Sequence, residues 1–353
     1  MLLVLAGLIA AYLIVSSRFA TDDTLDTADT GESYIQVNSI EQKSIVGFSY
    51  TNGGVEYEFA LSGEKWKYLA DETFPVDAYE MAQITSALSG IRADRAIEGD
   101  LHSADFGLDK PLHTVKVTLS AGGVLVYNIG AFNKHTDSYY MTAEGHSQIY
   151  MVKAAFGELF ERDIYELVAT ETLPSIALSG VKKITADTPH GTVTLEKKST
   201  DSSVAVWEHT NLLGATVKME TAAAETIVST LISPSTANCI HHDLPDDRLA
   251  DYGMDEDSRI RITVYYDTRV SANQAEGSTS TGGTITVSRE FVYYIGRVTE
   301  PTSDTDSDST ADTTVDLTPN ATVTTPKVQT YFMLKDSRML YKVTLTGANA
   351  LFE

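Results

Sequence analysis

The sequence is poor in cysteine and in basic residues. Its 353 residues include one cysteine, Cys239, so a disulfide framework within the chain is excluded. Lys and Arg number 26 against 49 Asp and Glu, which gives a formal net charge of −23. A surface this acidic repels phosphate, so an ordinary nucleic-acid-binding protein is also excluded. Apolar residues make up 42% of the chain, too many for disorder throughout, and the length predicts about two domains.

Catalytic motifs are also missing from the sequence. It contains no Gly-x-Ser-x-Gly elbow, no His-Glu-x-x-His pair and no glycine loop followed by Lys-Ser/Thr. Nothing around Cys239 indicates a lowered thiol pKa, so a buried structural thiol is expected there. We predict that the protein is not an enzyme and has no catalytic, cofactor-binding or metal-binding residues. A hydrolase with an unrecognised site is the alternative.

A long apolar run lies at the start of the chain. Residues 2–15 read LLVLAGLIAAYLIV and are followed by Ser16, Ser17 and Arg18. As a helix, such a run spans about 21–24 Å, short of the roughly 30 Å hydrocarbon core of a bilayer. The positively charged start and the small-x-small cleavage site of a signal peptide are missing. We predict an uncleaved membrane anchor over residues 1–18, with a cleaved signal peptide or a buried helix as alternatives.

An acidic segment follows the apolar run. Residues 21–33 carry five acidic side chains and no basic ones, which predicts a solvated tether over residues 19–34. Acidic residues beside a membrane avoid an anionic lipid surface, so a polybasic lipid-binding role is not expected. We expect a single-pass protein of the cell membrane with the bulk of the chain extracytoplasmic.

Related motifs recur along the chain and indicate an internal duplication. The two tryptophans, Trp66 and Trp207, are 141 residues apart, as are Val76 and Val217. Four further motif pairs are Asp105–Asp109 with Asp251–Asp255, Tyr127–Gly130 with Tyr293–Gly296, Ser138–Met141 with Thr330–Met333, and Ile149–Val152 with Leu340–Val343. The members of these four pairs are 146, 166, 192 and 191 residues apart, in that order. Because the separation increases along the chain, the second copy contains insertions.

Each copy has the pattern of antiparallel β-meanders around one main helix. In the first copy the expected strands cover residues 45–50, 55–61, 65–69, 113–119, 124–130, 138–142 and 148–152, separated by Gly-containing turns. Asp77 is expected to cap a helix with Glu80 completing a capping box, and Met81, Ile84 and Leu88 lie on one face. The predicted fold class is α+β, with two tandem related modules behind an N-terminal transmembrane helix.

The predicted division places an anchor at 1–18, a tether at 19–34, a first repeat at 35–170 and a second at 171–353. Disordered insertions rich in Ser and Thr are expected in the second repeat near 271–283 and 299–327. Three segments, the tether, 243–257 and 299–318, carry net charges of −5, −6 and −6. The acidity therefore lies mainly outside the repeated elements.

One histidine cluster has the residue types of a metal site. His241, His242 and Asp243, with Asp246 and Asp247 nearby, offer imidazole and carboxylate ligands. Adjacent histidines on a strand point to opposite faces, so both cannot easily reach one ion. We expect a solvated connection after the second helix instead.

An aspartate series resembles the start of a calcium-binding loop. Asp304, Asp306 and Asp308 have the alternating spacing of such a loop. Ser309 stands where the loop requires Gly, and Val315 stands where it requires a bidentate Glu. An acidic insertion that does not fold is therefore expected.

Tyrosines form a series on the matching strands. They are Tyr127, Tyr139, Tyr140, Tyr150, Tyr293, Tyr294, Tyr331 and Tyr341. Core and cross-strand packing explains such a series, and a sheet face that binds a ligand or partner is the alternative.

The ordered motifs of the first copy carry a family resemblance. Phe106-Gly-Leu-Asp-Lys-Pro111, an alternating strand, Ile129-Gly130, Ser138-Tyr-Tyr140 and Ile149-Tyr150 follow one another within residues 40–165. This series resembles the DUF4340 family of bacterial membrane-anchored proteins, and the second copy resembles it more loosely, with Met254 in place of the Leu and no Pro. The resemblance implies a location and ABC-type transport systems as neighbours, including gliding-motility ones. It supplies no catalytic residues.

These observations predict a non-enzymatic, membrane-tethered extracytoplasmic binding or scaffold protein, accessory to an ABC-type transporter or envelope complex. The expected partners are transporter subunits or other cell-envelope proteins, and exposed sheet edges offer docking by strand addition. The alternative is a solute- or carbohydrate-binding module that uses the groove between the two repeats.

Overall fold

The computed structural model describes residues 34–99, 101–199, 205–271, 284–299, 328–345 and 348. They divide into two compact units, one ending at Ala169 and one beginning at Thr170. The predicted anchor, the calcium-loop candidates and nearly all of the tether and both insertions lie outside the described residues, and those predictions stay open. Within the described ranges, no helix has the length and apolar character needed to cross a membrane.

The first unit contains an eight-stranded antiparallel sheet and one main helix. Its strands are β1 (Ile35–Gln36), β2 (Ile45–Asn52), β3 (Val55–Ser62), β4 (Lys65–Tyr68), β5 (Arg92–Ala93), β6 (Arg95–Ile97), β7 (His113–Leu119), β8 (Val124–Asn133), β9 (Ser138–Ala143) and β10 (Ile149–Lys153). The helices are α1 (Ala78–Ser89) and the single turn α2 (Ala154–Gly157). The sheet order is β4-β3-β2-β7-β8-β9-β10-β6, and β1 pairs with β5 separately. The two predicted meanders therefore join through β2 and β7.

Helix α1 begins where the sequence predicts. The Asp77 side chain accepts hydrogen bonds from the backbone N–H groups of Tyr79 (2.7 Å) and Glu80 (3.1 Å), which confirms the cap. The reciprocal half of the capping box is replaced by two tertiary contacts. The Glu80 carboxylate forms an ion pair with Arg162, and the Asp77 N–H donates to the Leu167 carbonyl oxygen at 2.8 Å. The predicted apolar face, Met81, Ile84 and Leu88, is fully buried.

The second unit contains a nine-stranded antiparallel sheet and one main helix. Its strands are β11 (Val181–Thr188), β12 (Gly191–Ser199), β13 (Ala205–Thr210), β14 (Thr216–Met219), β15 (Cys239–His241), β16 (Ile260–Ser271), β17 (Thr284–Thr299), β18 (Val328–Leu334) and β19 (Leu340–Val343), and its helix is α3 (Thr221–Ile232). The order is β14-β13-β12-β11-β16-β17-β18-β19-β15. Apart from the extra edge strand β14, this is the strand order of the first unit. The predicted mixed α+β class with antiparallel sheets is confirmed.

The strand ladders fix which residues occupy equivalent positions in the two sheets. Met141 pairs with Ile129 on one neighbouring strand and with Tyr150 on the other. Phe332 pairs in the same way with Ile295 and Tyr341, which are the counterparts of Ile129 and Tyr150 in the second unit. Met141 is therefore equivalent to Phe332, 191 residues on. The sequence comparison, which matched it to Met333, was wrong by one residue. A slip of one residue reverses the sheet face on which every side chain lies, so the ladder decides the point.

Asn38 connects the start of the first unit to its helix and sheet. Its Nδ2 donates to the Leu88 carbonyl oxygen (3.0 Å) and to Tyr127 Oη (2.8 Å), and its Oδ1 accepts from the Ile91 N–H (2.7 Å). In the second unit the equivalent tyrosine, Tyr293, donates directly to the α3 carbonyl oxygen of Leu231 at 2.7 Å. In the first unit the Asn38 amide thus links the tyrosine hydroxyl to the helix carbonyl oxygen, whereas in the second unit the tyrosine hydroxyl donates to the helix carbonyl oxygen itself.

Replacing Asn38 is expected to destabilise the first unit. Asn38→Ala leaves three buried polar groups without this partner, so the free energy of unfolding should fall by about 2 kcal/mol. Urea unfolding followed by Trp66 fluorescence in a Trp207→Phe background measures this, because each unit contains one of the two tryptophans. Tyr293→Phe, which removes a single bond from the other unit, should leave the Trp66 transition in place. An unchanged midpoint for Asn38→Ala would contradict the bridging role.

Candidate functional site

The sheet edges of the first unit are protected against pairing with another chain. Edge strand β4 has four residues, of which Lys65 and Lys67 are charged, and edge strand β6 has three residues beginning with Arg95. Short edge strands with basic side chains disfavour strand addition. The predicted docking by strand addition therefore has little support at these two edges.

The second unit has a projecting two-stranded arm. Strands β16 and β17 form twelve consecutive pairs, from Ile260–Ile295 to Ser271–Thr284. The register with β11 ends at Tyr266, and the register with β18 ends at Tyr293. Among the described residues, 267–271 and 284–288 therefore pair only with each other. We call these ten residues the β16–β17 arm, which extends about 17 Å at 3.4 Å per residue.

The two faces of the β16–β17 arm differ in polarity. Cross-strand partners share a face, and the face that continues the buried side of the sheet carries Thr268, Val270, Ile285 and Val287. The opposite face carries Asp267, Arg269, Ser271, Thr284, Thr286 and Ser288. The arm therefore combines open backbone edges with one apolar and one polar face.

A groove of about 610 Å³ lies beside the base of the arm. Segment 175–180 forms one side, and Asp267, Arg269 and Thr286 line the other. A Cβ added to Gly180 would overlap the Asp267 carbonyl oxygen, so this segment contacts the β16 backbone. The groove thus follows an edge of β16.

Charge in this groove is dominated by Arg269. The Asp267 carboxylate lies 2.7 Å from Lys182 Nζ and accepts from the Ser288 hydroxyl at 2.7 Å. The hydrogen bond from Lys182, followed by that from Ser288, lowers the pKa of Asp267, so this group is an ion-paired carboxylate at neutral pH. Because Arg269 is exposed, its guanidinium is available to a carboxylate in the groove.

Each unit also seats a 3-10 turn on a strand through a pair of glycines. One turn ends at Gly107 (φ 67°) against Gly130 of β8, and the other ends at Gly253 (φ 63°) against Gly296 of β17. A Cβ on Gly130 would overlap the Phe106 carbonyl oxygen, and one on Gly296 would overlap that of Tyr252. Close backbone approach explains why these motifs recur in the sequence.

The histidine segment is structured, so the predicted solvated connection was wrong for His241. Residues 239–241 form edge strand β15 on β19, and His241 Nε2 lies 2.7 Å from Tyr252 Oη. Burial lowers the pKa of His241, and the charges of Arg248 and His242 lower it further. Three residues are too few for a strand periodicity to be read from sequence. Throughout the described ranges, no three His, Cys, Asp or Glu side chains are grouped to hold a metal ion.

Cys239 is buried as predicted. Burial raises the pKa of its thiol to about 11, and Sγ donates to the His241 carbonyl oxygen at 3.3 Å. A thiol in this state is protonated at neutral pH and is a poor nucleophile.

The tyrosine series supports packing in the core. Five of its members are buried, namely Tyr127, Tyr139, Tyr150, Tyr293 and Tyr341. The remaining three, Tyr140, Tyr294 and Tyr331, are half-buried. Tyr140 packs edge-on against Phe106 (4.9 Å between ring centroids), and Tyr331 packs in the same way against Tyr252 (5.1 Å).

The sequence indicates that the insertion near 271–283 lengthens a hairpin, but it did not predict the paired strands of the β16–β17 arm, although a signal for them exists. The alternating stretches on either side of the insertion near 271–283 are longer than the neighbouring strands of the same sheet. Strands β6 and β14 were also missed, because each has only three or four residues.

Comparison with known proteins places the chain in a family. No curated protein and no solved structure matches it. A family profile described as "Domain of unknown function (DUF4340)" matches residues 66–257. The matched range begins in β4 of the first unit, ends after the second glycine-seated turn and covers more than half of the chain. The chain therefore belongs to the DUF4340 family.

Proposed function

We propose that this protein is a non-enzymatic scaffold, tethered to the cell membrane through residues 1–18, whose extracytoplasmic bulk binds an ABC-type transporter or another envelope complex. The observation that carries the proposal is the β16–β17 arm with its groove. An open hairpin edge bound by a partner strand satisfies backbone donors and acceptors on both chains. The apolar run and the acidic segment 19–34 supply the tether.

We further propose that the two units are related copies of one module. Three structural features support this. The strand order is shared, the equivalent strands β2 and β11 both carry a bulge (between Ile45 and Gly47, and between Val181 and Lys183), and the glycine-seated turns recur. The second copy has gained the long arm, so the partner-binding role is assigned to it.

The partner segment is an extended stretch of about five residues that includes a carboxylate. The length follows from the five residues of each arm strand that pair only with the other arm strand in the described ranges, and the carboxylate follows from Arg269. Because a charge-assisted hydrogen bond fixes orientation, this pair would set the register of the added strand.

Affinity purification from detergent-solubilised membranes of the cells that make the protein tests the proposal. Wild-type chain should recover a transporter subunit or envelope protein, and Arg269→Glu should recover about fivefold less, the effect of roughly 1 kcal/mol. The matched control is Arg289→Glu, an exposed arginine on the same hairpin but on its other face. Recovery of a bound solute or sugar in place of a protein would favour the solute-binding alternative. Equal recovery of the partner by Arg269→Glu and Arg289→Glu would exclude the groove as the partner-binding site.

A further inference from the structure

An extended segment covers the chain that enters helix α1 in the first unit. Val76 and Val168 form an antiparallel bridge. On either side of it, the Asp77 N–H donates to the Leu167 carbonyl oxygen (2.8 Å) and the Ala169 N–H donates to the Pro75 carbonyl oxygen (2.7 Å). Leu167 and Val168 are both buried. The first unit thus closes this position with a single antiparallel bridge made by its own apolar residues, directly after the 3-10 turn Ile164–Leu167.

The equivalent position of the second unit is the end of β14. The helix caps Asp77 and Glu220 correspond, because each side chain accepts hydrogen bonds from the second and third residues of a twelve-residue helix. Met219, one residue before the cap, is therefore equivalent to Val76, and the match of Val76 to Val217 made from the sequence was wrong by two residues. Met219 pairs with Trp207 on its inner side, and β14 is the last strand of the nine-stranded order. In the described part of the chain, no strand pairs with its outer side.

Apolar side chains are exposed around this uncovered edge. Val217 of β14 is 55% exposed, and Leu213 in the preceding hairpin is 92% exposed. Edge strand β4 of the first unit has two lysines in four residues, whereas β14 has one, Lys218. The edge at β14 is therefore less protected against an added strand than the edge at β4.

We propose that β14 is an acceptor site for a partner protein that donates an extended apolar segment, which pairs antiparallel as a tenth strand. This inference rests on the proposed relation between the two units. By equivalence with Asp77 and Pro75, the groups offered are the Glu220 N–H and the Lys218 carbonyl oxygen. The donated segment has the chemistry of Leu167–Ala169: consecutive apolar residues including a β-branched one, no proline, and an acidic residue beside them to meet Lys218.

A peptide with the sequence of residues 163–170 is the probe. Fluorescein-labelled Asp-Ile-Tyr-Glu-Leu-Val-Ala-Thr is titrated with the full chain, and fluorescence anisotropy should rise to saturation. The same peptide carrying Ala169→Pro should bind at least about tenfold more weakly, because proline removes the backbone N–H that donates to the Pro75 carbonyl oxygen in the first unit and would donate to the Lys218 carbonyl oxygen in the second. Equal binding of the two peptides would overturn strand pairing.

Crosslinking locates the bound peptide. A peptide with an added terminal cysteine should form a disulfide with Lys218→Cys and not with the matched edge variant Lys65→Cys, and Cys239 does not compete because it is buried. Equal labelling at 65 and 218, or no saturable binding, would overturn the site. If the chain forms a dimer and the added peptide dissociates it, the occupant of the β14 edge is a second copy of the chain. That result would overturn the proposal that a different protein donates the segment. None of these outcomes depends on recovery of a transporter subunit, so the two proposals fail separately.

Discussion

Trp207→Ala is expected to lower the free energy of unfolding of the second unit by about 3–5 kcal/mol, the range for removing a fully buried aromatic side chain. Trp207 has no solvent exposure and lies on β13 between Lys197 of β12 and Met219 of β14. Its loss would leave a large cavity that the surrounding strands fill only partly. Trp66, at the equivalent ladder position of the first unit, is half-buried, so Trp66→Ala should cost only about 1–2 kcal/mol.

The two tryptophans make the measurement specific to a unit. In Trp207→Ala, urea unfolding by far-UV circular dichroism should show one transition at lower denaturant, while Trp66 fluorescence still reports the first unit. Trp207→Phe is the variant that keeps most of the packing. Because Trp207 Nε1 has no hydrogen-bond partner among the described residues, losing it should cost little, and the total loss should be about 1 kcal/mol. Equal destabilisation by Trp66→Ala and Trp207→Ala would contradict the difference in burial.

Gly296→Ala and Gly130→Ala are each expected to destabilise their unit by about 3 kcal/mol. The added Cβ would overlap a backbone carbonyl oxygen, that of Tyr252 or Phe106 respectively. A backbone atom held in a turn cannot move aside as the end of a flexible side chain can, so the turn must lift from the strand. The two substitutions should therefore be similar in effect, although they lie in different units.

Gly90→Ala is the matched control for the glycine substitutions. An added Cβ there meets only Gln36 Nε2, at 3.9 Å. The backbone at Gly90 (φ −145°, ψ 65°) is nearly the same as at Ser233, which ends α3 (φ −144°, ψ 64°), so this conformation already accepts a side chain. Its cost should stay within about 0.5 kcal/mol. A midpoint for Gly130→Ala as close to wild type as that of Gly90→Ala, measured by Trp66 fluorescence, would show that the turn is not seated as described.

Local patterns in the sequence predicted the regular elements well. Strands β2, β3, β7 and β9 and the cap at Asp77 lie within a few residues of their predicted positions, because alternation and capping depend on neighbours in the chain. The recurring glycine motifs were also visible, since close backbone approach admits no other residue. Family membership followed from the same motifs.

The candidate interaction sites could not be read from the sequence in the same way. The openness of an edge depends on where the neighbouring strands stop, and those strands are distant in the chain: β11 ends its pairing with β16 at Tyr266, and β18 ends with β17 at Tyr293. Short strands such as β14 and β15 have too few residues for a periodic signal. Only pairing in three dimensions defines them.

The sequence by itself determined the α+β class, the main helices, the longer strands and the recurrence of motifs in two halves, because each depends on short-range periodicity or on a residue type that the backbone requires. The tertiary structure alone decided that the two meanders of a unit join through β2 and β7, and that Met141 is equivalent to Phe332. It also decided that, among the described residues, the β16–β17 arm and the outer side of β14 have edges without a paired strand. Register and edge exposure are properties of pairs of distant strands, and a shift of one residue or one missing neighbour changes them without altering any local pattern.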